Sequence, residues 1–222
     1  IPLLSLCALA GCSLVFDPQV DTSGRPPLDG PIRAGLIYVG PVGDHGWTKA
    51  HDVSREHVER AMPEVEAHFM PSVSPADVGA VIDDFVAAGD NVVITTSHDF
   101  LVGTQAAALR HPDVNFLICS GFETGPNLGS YFGRMYQAMF MAGRLAGHVT
   151  QTNRVGIVGA VPIPETVRHI NAFALGARSV NPEIDVAVRW VGQWFAPDAE
   201  AAATNELVDA GAIRRLAVCA QD

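Results

Sequence analysis

Short apolar runs alternate with helix-length segments from Arg33 onward, and this alternation constrains the fold more than any other feature of the chain. Ala34–Val39 is closed by Gly40-Pro41 and reads as a buried strand. A helix is expected over Trp47–Ala61 and a second strand over Val65–Met70. Ser74 and Pro75 form a helix start, as N-cap and first helical residue, and that helix should end near Gly89. Strands over Asn91–Thr96 and Val114–Cys119 flank a helix over Asp99–Arg110. Such spacing is that of successive βαβ units, so the fold class is α/β, with a parallel sheet covered by helices on both faces.

A long helical pattern over Tyr136–Thr150 carries small residues at Ala138, Ala142, Gly143 and Gly147, which permit close packing on a neighbouring element. The alternation then restarts, with strands at Arg154–Val158 and Asp185–Val191 and helices at Glu165–Val180 and Asp198–Ala210. The expected organisation is an N-terminal α/β lobe over 33–133, a crossing segment over 134–153 and a partial C-terminal α/β lobe over 154–222. With 222 residues, 48% of them hydrophobic, the chain has enough apolar material for real cores. A third strand of the second lobe is due in the tail Ile213–Asp222. The adjacent Arg214 and Arg215 disfavour a central place for it, because a central strand would bury them. The second lobe is short beside the first, and the expectation is a chain cut, or shifted into another reading frame, near Ala212.

Ile1–Cys12 is almost wholly apolar, too short to span a bilayer, and has the character of a signal-peptide remnant. Leu9-Ala10-Gly11-Cys12 resembles a bacterial lipobox, which makes Cys12 the candidate lipidation site; Cys7, preceded by Leu6, fits worse. The alternative is a buried N-terminal strand or helix. Residues 13–32, with Pro18, Pro26-Pro27 and Gly30-Pro31, read as a linker. An anchor plus a tether places the globular body at the cell membrane, facing the periplasm or the extracellular side. Whether Cys119 and Cys219 pair is left open by the sequence. Fourteen Lys+Arg against 24 Asp+Glu, with no basic cluster, exclude a surface that tracks nucleic-acid phosphates.

Gly40-Pro-Val-Gly43-Asp-His-Gly46 joins the first strand to the first helix. Its spacing is neither the dinucleotide fingerprint nor a phosphate loop. It is either a plain turn or a ligand rim where Asp44, His45 and Trp47 crowd the carboxyl end of a strand. Trp47 supplies a stacking face there and Asp44 a hydrogen-bond acceptor. Ser97-His98-Asp99 is no catalytic triad, because three consecutive side chains diverge. These residues stand at the end of the third strand, on the same rim. Glu165 opens a helix, where the dipole alone accounts for it as well as a ligand does. Trp194 follows a strand of the second lobe and either faces the cleft or packs under a loop. His45 and His51 read as rim or surface residues. Eight histidines form no H-E-x-x-H or paired Cys/His pattern, so no metal and no cofactor is expected.

Four segments together resemble a known family. Tyr38–His51, Ser130–Gln137, Val161–Glu165 and Asn171–Pro182 are similar to segments of the basic membrane protein family of ABC-transporter substrate-binding lipoproteins. The likeness covers about residues 33–212. It implies two Rossmann-like lobes of the type I periplasmic-binding-protein kind that close on a ligand, and many relatives bind purine nucleosides or bases. It implies stacking of the purine on aromatic side chains, and permease subunits as partners. By position, Asp44 and Trp47 take the family's acidic and aromatic contacts. His51, Ser97, Glu165 and Trp194 lie on the rim within or beside matching segments. The likeness also implies a fuller second lobe than Ile213–Asp222 supplies. The expected function is capture of a purine nucleoside or base for an ABC importer, without covalent chemistry. The alternatives are a nucleoside-processing enzyme, for which no activated nucleophile or partnered base is evident, and a ligand-sensing regulator.

Overall fold

The computed structural model describes residues 24–43, 46–212 and the backbone of 217–220. Cys12, Asp44, His45 and the Arg214-Arg215 pair lie outside the described residues. Strands β1 (Ile32–Ile37), β2 (Val65–Met70), β3 (Val92–Thr95), β4 (Asn115–Cys119) and β5 (Leu128–Tyr131) form one sheet in the order β2-β1-β3-β4-β5, all pairs parallel. Helices α1 (Trp47–Ala61), α2 (Val78–Ala87) and α3 (Leu101–Arg110) make the crossovers. Helix α4 (Met135–Val149) leads to a second parallel sheet of β6 (Arg154–Gly159), β7 (Asp185–Trp190) and β8 (Ala217–Ala220), in the order β7-β6-β8. Helices α5 (Pro164–Val180) and α6 (Pro197–Asp209) connect its strands. This is the doubly wound α/β architecture expected of the alternation.

The first sheet is apolar on both faces because successive side chains point to opposite sides. Ile37, Val93, Phe116 and Ile118 meet Val78, Ile82 and Phe85 of α2 and Phe100 beside α3. Ala34, Leu36, Val65 and Val92 form the opposite cluster with Val58 of α1. On that second face an apolar cavity of about 710 Å³ remains, lined by Leu36, Ala67, Ile94, Leu117, His51 and Tyr131. The second lobe is built on Val155, Ile157, Ile170, Phe173 and Ile184, with Ala146 of α4.

Several local expectations shift. Ser74 does cap a turn, its Oγ accepting the Asp77 amide at 3.3 Å, but the α-helix itself begins at Val78. Gly89 ends it with φ of +97°, a conformation that glycine adopts without strain. The end of the linker runs along the first lobe: the Asn115 side-chain amide donates to the Pro26 carbonyl and that of Asn91 to the Pro31 carbonyl. Residues 24–31 are thereby tied to the body of the protein rather than hanging as a tether. The third strand of the second lobe is β8; among the described residues it pairs with β6, which is the middle strand of that sheet.

Candidate functional site

In the first sheet the strand order reverses between β1 and β3, and open parallel sheets bind ligands beyond the carboxyl ends of strands at such a point. The segments that leave β1, β3 and β4 there carry Val39-Gly40-Pro41, Ser97-His98 and Ser120. They line a cleft of about 260 Å³ with Trp47 and Thr48 of α1 and with Trp194 and Phe195 from the segment after β7. A smaller recess of about 90 Å³ shares His98 and Ser120 with it. The second lobe closes that recess with Ile163, Glu165 and Arg168. The two spaces form one interlobe cleft, near the lower end of the size range of small-molecule sites, about 300 Å³.

Trp47 is fixed at the first residue of α1. Its indole N–H donates to the Thr96 carbonyl at 2.6 Å, which locks the plane of the ring. His51 lies one turn further along α1 and packs its ring 4.6 Å from that indole, while its Nδ1 is 2.9 Å from the Trp47 carbonyl. The structure places His51 on the 710 Å³ cavity and not on the cleft, so it buttresses Trp47 from below. Ser97 is buried at the rim, and its Oγ accepts the Asp99 amide at 3.2 Å. Glu165 stands in the first turn of α5, buried beside Arg168. Trp47, Ser97 and Trp194 thus share one wall system, Glu165 joins through the adjoining recess, and Asp44 lies outside the described residues.

Sequence reasoning did not single out Ser120, Phe132, Phe195 or Arg168. Phe132 follows β5 and stacks between lobes, with ring centroids 6.1 Å from Trp47 and 5.9 Å from His169. Its signal was present only as part of the Ser130–Gln137 segment. His169 is buried, and burial, helped by the neighbouring Arg168 charge, lowers its pKa from the ordinary 6.5. The unfolded chain therefore binds the extra proton first, and stability should fall as pH drops below 6.5 toward the lowered folded value. Urea melts at about pH 7.5 and about pH 5.5 should show a smaller loss for His169→Gln than for the parent. Equal losses would mean that His169 carries none of the pH dependence.

Among the described residues no cluster of His, Cys, Asp or Glu is arranged to hold a metal, and no helix is long and apolar enough to cross a membrane. Among the described residues the site offers the aromatic faces of Trp47 and Trp194, the hydroxyls of Ser97 and Ser120, and the buried carboxylate of Glu165.

Known proteins match this architecture. Residues 32–214 match the family model described as ABC transporter substrate-binding protein PnrA-like. A Brucella abortus protein named a purine-binding protein is 38% identical over 182 residues, covering 81% of this chain and 52% of that protein. A Haloferax volcanii protein, provisionally named an ABC transporter glucose-binding protein, is 39% identical over 195 residues, 88% of this chain and 50% of that one. The chain spans about half the length of these relatives. A solved ABC transporter solute-binding protein of Aeropyrum pernix superposes with a TM-score of 0.74 at 17% identity, over 85% of this chain and 55% of that chain. At that identity the match speaks for the fold. From the extent of the family match and the two relatives, the chain belongs to the PnrA-like family of ABC transporter substrate-binding proteins.

Proposed function

We propose that this chain captures a purine nucleoside or purine base in the interlobe cleft and presents it to the permease subunits of an ABC importer. The observation that carries this reading is the pair of indoles, Trp47 from the first lobe and Trp194 from the second, on the walls of one 260 Å³ cleft. Flat π faces suit a purine ring, and lobe closure supplies capture without covalent chemistry. Asp44, Ser97 and Glu165 are the polar groups assigned to ring nitrogens or sugar hydroxyls. The purine-binding relative from Brucella supports the purine; the Haloferax relative supports a hexose, which also stacks on tryptophan. Calorimetric titration with adenosine, guanosine, inosine, adenine and glucose decides between them. Saturable binding of a purine compound and none of glucose is the expected result, and the reverse pattern would replace the purine by a sugar.

The same reading assigns Cys12 to acylation and the protein to the outer side of a cell membrane, held there by lipid. The small residues Ala10-Gly11 before Cys12 motivate it. Expression of a precursor with a complete signal peptide and a labelled fatty acid should label the parent and leave Cys12→Ala unlabelled. Label on both would remove Cys12 from this role.

A further inference from the structure

The sequence places Asp99 directly after the rim pair Ser97-His98. Asp99 is exposed, just beyond the carboxyl end of β3. Two observations give it a task. The Ser97 hydroxyl accepts the Asp99 amide at 3.2 Å, which fixes the backbone at the start of the 3-10 turn His98–Phe100. From that fixed point the Asp99 carboxylate accepts the Trp194 indole N–H at 2.7 Å. The two residues lie 95 positions apart in the chain and on different lobes.

We propose that Asp99 is a positioning residue for ligand capture: it latches Trp194, and with it the second-lobe wall, against the first lobe. The role of Trp194 as a wall of the ligand site rests on the function proposed above. The chemistry of the latch does not. An indole N–H bonded to a carboxylate is a charge-assisted hydrogen bond, directional at both ends, so it sets the plane of the Trp194 ring as well as its distance. Trp47 is oriented in the same manner by the Thr96 carbonyl, so both indoles of the cleft have their edges tied to the rim that follows β3. Asp99 itself does not line the cleft. A bond made between lobes is lost when they part. Its energy therefore favours the closed arrangement and slows ligand escape, while the open form that receives the ligand is left as it was.

The chain contains three tryptophans, so its indole N–H resonances are few enough to assign by substitution. Trp194→Phe identifies the Trp194 signal. Asp99→Ala should shift that signal and speed its exchange with water, leave the Trp47 signal in place, and Asp99→Asn, whose amide oxygen still accepts, should keep most of the parent behaviour. Stopped-flow with whichever of adenosine, guanosine, inosine, adenine or glucose binds should show dissociation faster by roughly three- to tenfold in Asp99→Ala, with association little changed. Trp194→Phe should dissociate at least as fast, and adding Asp99→Ala to it should change little further, since the partner is already gone. A Trp194 signal indifferent to Asp99→Ala overturns the latch. A shifted signal with unchanged dissociation overturns its part in capture. If none of the five probes binds, the proposed ligand class fails, while a shifted, fast-exchanging Trp194 signal in Asp99→Ala still upholds the latch.

Discussion

Gly143→Ala and Gly176→Ala should each destabilise the second lobe by roughly 3 kcal/mol or more, the upper end of what overpacking costs. On helix propensity alone the change would favour folding by about 1 kcal/mol. Packing reverses the sign. A Cβ built at Gly143 collides with the Phe173 carbonyl of α5, and one at Gly176 collides with the Phe140 carbonyl of α4. Gly147 repeats the pattern, its Cβ falling 2.6 Å from the Ala177 carbonyl. Backbone atoms cannot rotate out of the way, so α4 and α5 must separate, and Phe173, Ala146 and Ala177 lose their burial between them. Thermal melting should register each substitution as a fall of roughly 6–12 °C. The double substitution should cost less than the two single ones together, because the first separation already makes room for the second methyl. Gly79→Ala in α2 is the internal control: its Cβ meets only the end of Arg110 at 3.9 Å, so it should be neutral or gain up to about 1 kcal/mol. Melting points unchanged by Gly143→Ala and Gly176→Ala would mean that the helices are not in backbone contact.

That contact shows what the sequence discloses and what it withholds. The small residues of α4 announce a close neighbour, because a stripe of Ala and Gly on one helix face has little other use. Which element fills it is a matter of tertiary contact, and the answering glycine, Gly176, carries no local mark. The βαβ alternation is legible because buried parallel strands are dense apolar runs, as at Val92–Thr95 and Phe116–Cys119. Strand β5 is not, since Gly129 and Ser130 stand between Leu128 and Tyr131, and its strand character comes from pairing with β4. Order alone brings Trp47, Ser97 and Trp194 to segments that follow strands, and the structure sets them along one cleft. His51, four residues after Trp47, lies on the same helix face one turn along, where it packs on the indole and borders the 710 Å³ cavity rather than the cleft. Ser120, just after β4, and Phe132, just after β5, reach the rim through tertiary structure, and only Phe132 falls within a segment the sequence marks, Ser130–Gln137.

The ligand reading stands most directly on Trp47, and Trp47→Ala should weaken binding of the purine compound that titrates by about 1–3 kcal/mol, the range for a base stacked on an aromatic ring. In Kd this is roughly five- to 150-fold. The ring is held for stacking in advance: its N–H is bonded to Thr96, His51 supports it at 4.6 Å, and Phe132 lies nearly parallel, 27° off and 6.1 Å away. A pre-oriented face loses little conformational freedom on binding, so its removal forfeits most of the stacking energy. Trp47→Phe should recover much of the affinity, because a face remains, but not all, since phenylalanine has no donor for the Thr96 carbonyl. His51→Ala should cost less than Trp47→Ala, as it loosens the support without removing the face. Trp47 also borders the 710 Å³ cavity, so melting must accompany calorimetry. A stability loss with full affinity in Trp47→Ala assigns the residue to packing alone. Affinity lost with the melting point retained assigns it to the ligand, and at that point the size of the loss separates a stacked purine from a contact at the edge of the cleft, which would stay under about 1 kcal/mol.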